Sequence, residues 1–284
     1  MISDYRCFYC LVKSFGKLLE KEPVSAEAKN NFTLDMINLY RERYEQLCTP
    51  GFARDLHAIL KSYTKNPDPY KTEKREGNMQ ALEMVPGLQS IIDRSEDPFI
   101  TAMRMSIAGN IMDFAANHEF DIEKTLERSL YTPFAIDHSE QLRAAVKSAD
   151  SILYLGDNAG EIVFDKLFIK TIAHKNITYA VRGMPVINDV TMVDAEQTGM
   201  HEVARVISNG YDAPSTLIDK SGDEFRHHFF NASLIISKGQ GNLEGLITLN
   251  DSRIFFLLMV KCDVMADFLK VDKGSMVVYN SSLQ

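Results

Sequence analysis

Along the first half of the chain, apolar residues return every third or fourth position, the period of a helix with one buried face. Residues 10–21 (CLVKSFGKLLEK) and 33–47 (TLDMINLYRERYEQL) carry it plainly, and Ser25 ahead of Ala26-Glu27-Ala28 reads as a capping helix start. Asn66-Pro67-Asp68-Pro69 interrupts the pattern, which resumes through Leu88. Asp97-Pro98 opens another helix, strongly apolar over 103–116 around Gly109-Asn110 and Asp113.

Near residue 148 the texture changes to short, β-branched runs. These are 151–155 (SILYL), 177–181 (ITYAV), 203–207 (VARVI), 234–237 (LIIS), 254–260 (IFFLLMV) and 276–279 (MVVY). Helical stretches at 162–173 and 262–269 lie between some of them. Runs apolar on both faces, alternating with helices, predict a buried, mostly parallel sheet flanked by helices. The expected architecture is α/β, with an all-helical domain over 1–147 and a sheet domain over 148–284.

Charge narrows the function. A net charge of -8 disfavours nucleic acid as a partner and repels anionic substrates, so an anion needs a local cation or a metal. The longest apolar run, 254–260, falls well short of the ~20 residues of a membrane span. The first residues show no basic-then-apolar leader, and four cysteines make no secreted disulfide framework. A cytoplasmic protein without a membrane partner is the expectation.

Ligands of parallel sheets bind beyond the carboxyl ends of the strands. Here those ends run into Gly156-Asp157-Asn158-Ala159-Gly160-Glu161, Arg182-Gly183-Met184-Pro185 followed by Asn188-Asp189, Ser208-Asn209-Gly210, and Lys238-Gly239-Gln240-Gly241-Asn242. Asp157, Asn158 and Asp189 offer oxygen donors suited to a hard divalent cation. Lys238 and the amides of the glycine-rich loops suit phosphate oxygens. The competing reading makes Asp157 and Asp189 caps of the helices that follow. Neither the GxGxxG signature nor the GxxxxGK[ST] loop is present, and Ala159 breaks the DxD pattern of aspartyl-phosphate phosphatases.

The segments GDNAGE (156–161), GMPVINDVT (183–191), SNG (208–210) and KGQGN (238–242) together resemble the damage-control phosphatase family, also known as protein-of-unknown-function family 89. Cys7-x-x-Cys10, DPYKTEKREGN (68–78) and AGNIMDF (108–114) extend the resemblance to the helical half and to that family's compact microbial branch. The resemblance implies a helical domain joined to a Rossmann-like sheet, and a metal-dependent phosphatase acting on sugar phosphates or damaged phosphometabolites. It implies Asp157, Asn158 and Asp189 as ligands of a cation such as Mn²⁺, Mg²⁺, Co²⁺ or Ni²⁺, and Lys238 as a phosphate contact. Asn188, Asn209, Gly239 and Asn110 complete the expected substrate-binding set. The expected mechanism is metal-assisted attack of water, with Glu161 as a base or as the holder of a water. A Glu in a first helical turn is also favoured by the helix dipole alone.

Asn110 and Asp113 share a face of an apolar helix and either cap a neighbouring element or reach the site between the two halves. Cys7 and Cys10 read as two reduced cysteines or as an accessory metal or redox site, with Cys48 and His57 in chain reach. Cys262 reads as core, His227 and His228 as surface or packing residues, and Asp194 and Asp212 either as supports of the site's ligands or as helix-surface and turn residues. A methyltransferase using S-adenosylmethionine and a non-enzymatic metal or metabolite sensor stand as alternative functions.

Overall fold

The computed structural model describes residues 4–44, 49–110 and 128–283. Five helices lead the chain: α1 (Tyr5–Lys21), α2 (Ala26–Arg43), α3 (Thr49–Thr64), α4 (Lys71–Arg94) and α5 (Pro98–Gly109). Ser25 Oγ caps α2 by accepting from Ala28 N, and Asp97 caps α5 by accepting from Ile100 N. The helical reading of 103–116 ends at Gly109 within the described residues; Asp113 lies outside them, as does Cys48.

The remainder builds β1 (Ile136–Asp137), α6 (Ser139–Ser148), β2 (Ile152–Leu155), α7 (Glu161–Ile172), β3 (Ile177–Val181), α8 (Met192–Gln197) and β4 (Arg205–Ser208). It continues with α9 (Asp223–Asn231), β5 (Leu234–Lys238), α10 (Gly239–Leu246), β6 (Ile254–Met259), α11 (Asp263–Leu269) and β7 (Met276–Tyr279). One seven-stranded sheet results, in the order β1-β7-β6-β5-β2-β3-β4. Strands β2 to β6 are mutually parallel where they pair. β7 is antiparallel to β6, and the two-residue β1 pairs parallel with β7.

The sheet therefore takes in residues ahead of 148, and the helical half does not stand apart from it. Alternate residues of each strand enter opposite layers, as the pleat requires. Ile152 and Tyr154 join the layer beneath α4, α5 and α7, whose Ala81, Leu88, Met103, Ile107, Phe164 and Phe168 belong to the same core. Leu153 and Leu155 enter the other layer, with Phe225 and Phe229 of α9, Leu243 of α10 and Met265 of α11. Helices α1 to α3 keep a separate core of Phe15, Leu18, Phe32, Met36, Phe52, Leu56 and Leu60. Among the described residues, no helix is long and apolar enough to cross a membrane.

From β2 the chain steps to β3 and β4 on one side, then returns to β5 on the other. The order reverses between β2 and β5, the place where open α/β sheets leave a crevice at their carboxyl ends.

Candidate active site

The loop after β2 is shaped from beneath. A Cβ on Gly156 would stand 2.4 Å from the Tyr179 hydroxyl, so only glycine lets the chain turn there. Asn158 and Asp189 form an isolated antiparallel bridge between this loop and the one after β3. In it Ala159 N donates to the Asn188 carbonyl and Val190 N to the Asp157 carbonyl, each at 2.9 Å. The three predicted metal ligands thus come from two loops stitched together by backbone, and Asn188 contributes its carbonyl to the stitching.

The predicted carboxylates are buried together: Asp157 is 8 % exposed, Asp189 3 % and Glu161 0 %. Two side-chain amides bridge the first and third. Asn110, from the end of α5, donates to Asp157 Oδ2 at 2.7 Å and Glu161 Oε2 at 2.6 Å. Asn158 donates to the same two oxygens at 2.7 and 3.0 Å. Gly109 permits the approach, since a Cβ there would lie 3.1 Å from the Phe164 ring. Burial pushes the Asp157 carboxyl up to about 7, with Glu161 and Asp189 adding to the rise and Lys261 and Arg182 opposing it. Burial also raises Asp189, against the pull of Arg182, whose Nε donates to Asp189 Oδ2 at 2.6 Å.

Lys238 sits behind Glu161. Fully buried, its ammonium donates to Glu161 Oε1 and Asp165 Oδ1, both at 2.6 Å, and to the Ser106 carbonyl at 2.9 Å. All three N–H bonds are taken. A phosphate oxygen could reach one only by displacing a carboxylate or the carbonyl. Burial alone would lower the lysine, but Asp165 and Glu161 outweigh it and hold the ammonium charged. Asp165 further accepts from Ser106 Oγ at 2.8 Å and from the Tyr154 and Tyr179 hydroxyls at 2.9 Å.

Gly239, the first residue of α10, has φ +78°, and a Cβ on it would fall 2.0 Å from Asp157 Oδ2. Asn209 is 1 % exposed; its Oδ1 accepts from Gly183 N at 2.9 Å and Tyr211 N at 3.0 Å, and its Nδ2 has no partner among the described residues. The structure thus brings Asp157, Asn158, Glu161, Asp189, Asn110, Lys238 and Gly239 into one connected cluster. Asn209 joins through the Gly183 backbone.

Sequence pattern alone does not single out Arg182, Asp165, Asn78 or Asn242, which complete the arrangement. Asp165 left a signal, a carboxylate four residues after Glu161 on an otherwise apolar helix face. Asn78 of α4 accepts from Gly160 N at 2.6 Å and donates to Asp194 Oδ1 at 2.9 Å. Asp194 is buried rather than on a helix surface, closing a capping box with Thr191 at the start of α8. Asn242 holds the Gly156 and Lys238 carbonyls at 3.1 and 2.8 Å. Asp212 is buried against Arg54 Nε at 2.8 Å.

The donor chemistry suits a hard cation. Four buried carboxylates, Asp157, Glu161, Asp165 and Asp189, face two buried cations, Lys238 and Arg182. Asn110 Oδ1 is a buried acceptor without a partner among the described residues. An acidic excess with an unfilled oxygen acceptor is relieved by a divalent ion. Among the described residues no group of three His, Cys, Asp or Glu side chains has the arrangement of a ready metal cage. Cys7, Cys10 and Cys262 are free thiols, and Cys262 is half-buried with its Sγ accepting from Gln240 at 3.3 Å.

An acidic, oxygen-lined site at the switch point of a mostly parallel sheet marks an α/β protein of the Rossmann-like class. Residues 3–277 match the damage-control phosphatase ARMT1-like domain, and the chain belongs to that family. It is 33% identical over 280 residues to damage-control phosphatase PH1575 of Pyrococcus horikoshii, covering 96% of each chain. A damage-control phosphatase of Archaeoglobus fulgidus is 35% identical over 217 residues, 74% of this chain and 75% of that one. The crystal structure of the Pyrococcus horikoshii protein, described as a DUF89 family protein, superposes with a TM-score of 0.90 over 99% of both chains at 30% identity.

Proposed function

We propose that the protein is a divalent-metal-dependent phosphatase of small phosphorylated metabolites. The observation that carries this reading is the backbone bridge that sets Asp157 and Asn158 beside Asp189 at the sheet's switch point, in a chain of the damage-control phosphatase family. Asp157, Asn158 and Asp189 would hold the cation. When bound, it supplies Lewis-acid charge withdrawal from the phosphoryl group.

The chain's own groups do the rest. Glu161 is fixed at Oε1 by Lys238 and at Oε2 by two amides; for it to orient a water or take its proton, one of those bonds would have to open. Asn110 holds Asp157 and Glu161 in mutual register. Lys238 acts from behind Glu161 as a positioning residue and keeps positive charge within the acidic cluster. The helical half closes over this edge of the sheet: Lys61 of α3 bonds the Pro185 carbonyl, and Arg54 stacks at 5.4 Å over Tyr211. Those helices would supply the walls on which substrate choice depends.

The test is phosphate release from a panel of sugar phosphates and a chromogenic ester by metal-stripped protein, with Mg²⁺, Mn²⁺, Co²⁺ or Ni²⁺ added singly. Turnover is expected only with metal and is expected to vanish in Asp157→Ala. Metal-independent turnover, or full activity in the variant, would sink the assignment.

A further inference from the structure

We infer that Arg182 is a phosphoryl-binding residue, offering Nη2 to an oxygen of the substrate's phosphoryl group while Nε holds Asp189; this rests on the phosphatase reading. Arg182 directly follows β3 and is 2 % exposed. Its backbone N donates to the Val190 carbonyl at 2.9 Å, which pins the root of the side chain to the loop that carries Asp189. Nε donates to Asp189 Oδ2 at 2.6 Å, and Nη1 reaches Thr216 Oγ1 at 3.5 Å. Nη2 has no hydrogen-bond partner among the described residues, and Asp157 Oδ1 stands 3.8 Å from it.

An arginine kept only as a counter-ion has a better geometry at hand. Its planar fork can close on one carboxylate with two parallel N–H bonds. Here a single nitrogen meets Asp189, and a charged N–H is left buried without an acceptor, which is unfavourable unless a ligand accepts from it. A second such donor comes from the neighbouring strand. Asn209, at the end of β4, has both backbone bonds to its Oδ1 filled and its Nδ2 unpartnered at 1 % exposure. One of those two bonds comes from Gly183 N, the residue after Arg182. Two buried, unanswered donors at adjacent strand ends call for a ligand rich in acceptors, and a phosphoryl group is one.

Charge points the same way. Of the two cations hydrogen-bonded to the acidic cluster, Lys238 has all three N–H bonds engaged, whereas Arg182 does not. A phosphate dianion entering a site with a carboxylate excess, in a chain of net charge -8, needs a cationic donor beyond the metal. Arg182 is placed to supply it. A structural role predicts otherwise: the residue would matter to Asp189 and to folding, but not to the anion.

The experiment titrates inorganic phosphate into Mg²⁺-loaded wild type and Arg182→Lys by calorimetry, alongside Mg²⁺ titrations of both proteins. Lysine keeps a positive charge for Asp189, but its single nitrogen cannot sit on Asp189 and at the Nη2 position at once. The Mg²⁺ affinity is expected to stay within about threefold while phosphate Kd weakens by about tenfold or more, as loss of a charge-assisted hydrogen bond implies. An unchanged phosphate Kd in the variant overturns the inference. So does a loss confined to Mg²⁺ affinity. A measurement on the wild type does not depend on the variant folding: the Arg182 guanidinium ¹⁵N–¹H signals are expected to shift on adding phosphate to the Mg²⁺ form, and signals that stay put overturn the inference. Wild type that hydrolyses esters while Arg182→Lys binds phosphate normally removes this inference alone. Wild type that neither hydrolyses esters nor binds phosphate removes the phosphatase reading with it.

Discussion

Gly239 meets two demands at once: its φ of +78° lies in the left-handed region, and a Cβ would occupy the place of the Asp157 carboxylate. Alanine there would push Asp157 away from Asn110 and Asn158. Displacements of about 1 Å in a catalytic group can cost on the order of 100-fold in rate. Gly239→Ala is therefore expected to lower kcat/KM about 100-fold in a steady-state assay, with the far-ultraviolet circular dichroism unchanged. The glycine-rich KGQGN segment is visible in the sequence, but its role is not. Composition marks it as a loop, whereas Gly239–Leu246 is helix α10. Its other glycines answer to neighbours: a Cβ on Gly241 would lie 2.3 Å from the Pro214 carbonyl oxygen, and one on Gly245 2.4 Å from that of Thr216. Contacts between segments so far apart leave no trace in local pattern. Lys238 shows the same limit. Its residue type suits phosphate, yet its N–H bonds go to Glu161, Asp165 and a carbonyl because α5 and α7 pack against β5 from behind.

At the scale of elements, the strands are read from sequence almost residue for residue at 177–181 and 276–279, since strands buried on both faces are continuous apolar runs. β1 escapes because two residues carry no period. In the α1–α3 core, His57 is a buried side chain against the Phe15 ring at 4.7 Å. Burial, aided by Lys61 and opposed by Asp212, lowers it from 6.5 to about 4. A base lowered on folding binds more protons in the unfolded state between those values, so stability is complete above about 6.5 and falls as pH drops toward about 4. The contribution lost by pH ~4.5 is about 2–3 kcal/mol. Urea unfolding of wild type and His57→Leu at pH ~7.5 and ~4.5 should show a smaller acid-induced loss in the variant by roughly that amount. Equal losses would place the acid sensitivity elsewhere.

For the whole molecule, folding gathers carboxylates that the chain holds apart: Asp157, Glu161 and Asp165 on one segment, Asp189 on the next, with Asn110 brought from the helical half. A divalent cation that binds this assembly and not the unfolded chain stabilises by about 2.7 kcal/mol at 100 times its Kd. Thermal unfolding of metal-stripped protein should thus move to higher temperature on adding Mn²⁺, while Asp157→Ala should not respond; an equal shift in both would put the ion elsewhere. The α/β class, most strands, and the loops bearing Asp157, Asn158, Asp189 and Asn209 are determined by sequence alone, because burial patterning and strand-end composition are local properties. The tertiary structure decided which of those loops touch, that Asn110 belongs with them, that Lys238 lies behind Glu161, and that Arg182 Nη2, beside two carboxylates, has no hydrogen-bond partner among the described residues. Those are matters of distance between residues far apart in the chain, and such distances exist only once the strand order β6-β5-β2-β3-β4 has placed β5 against β2.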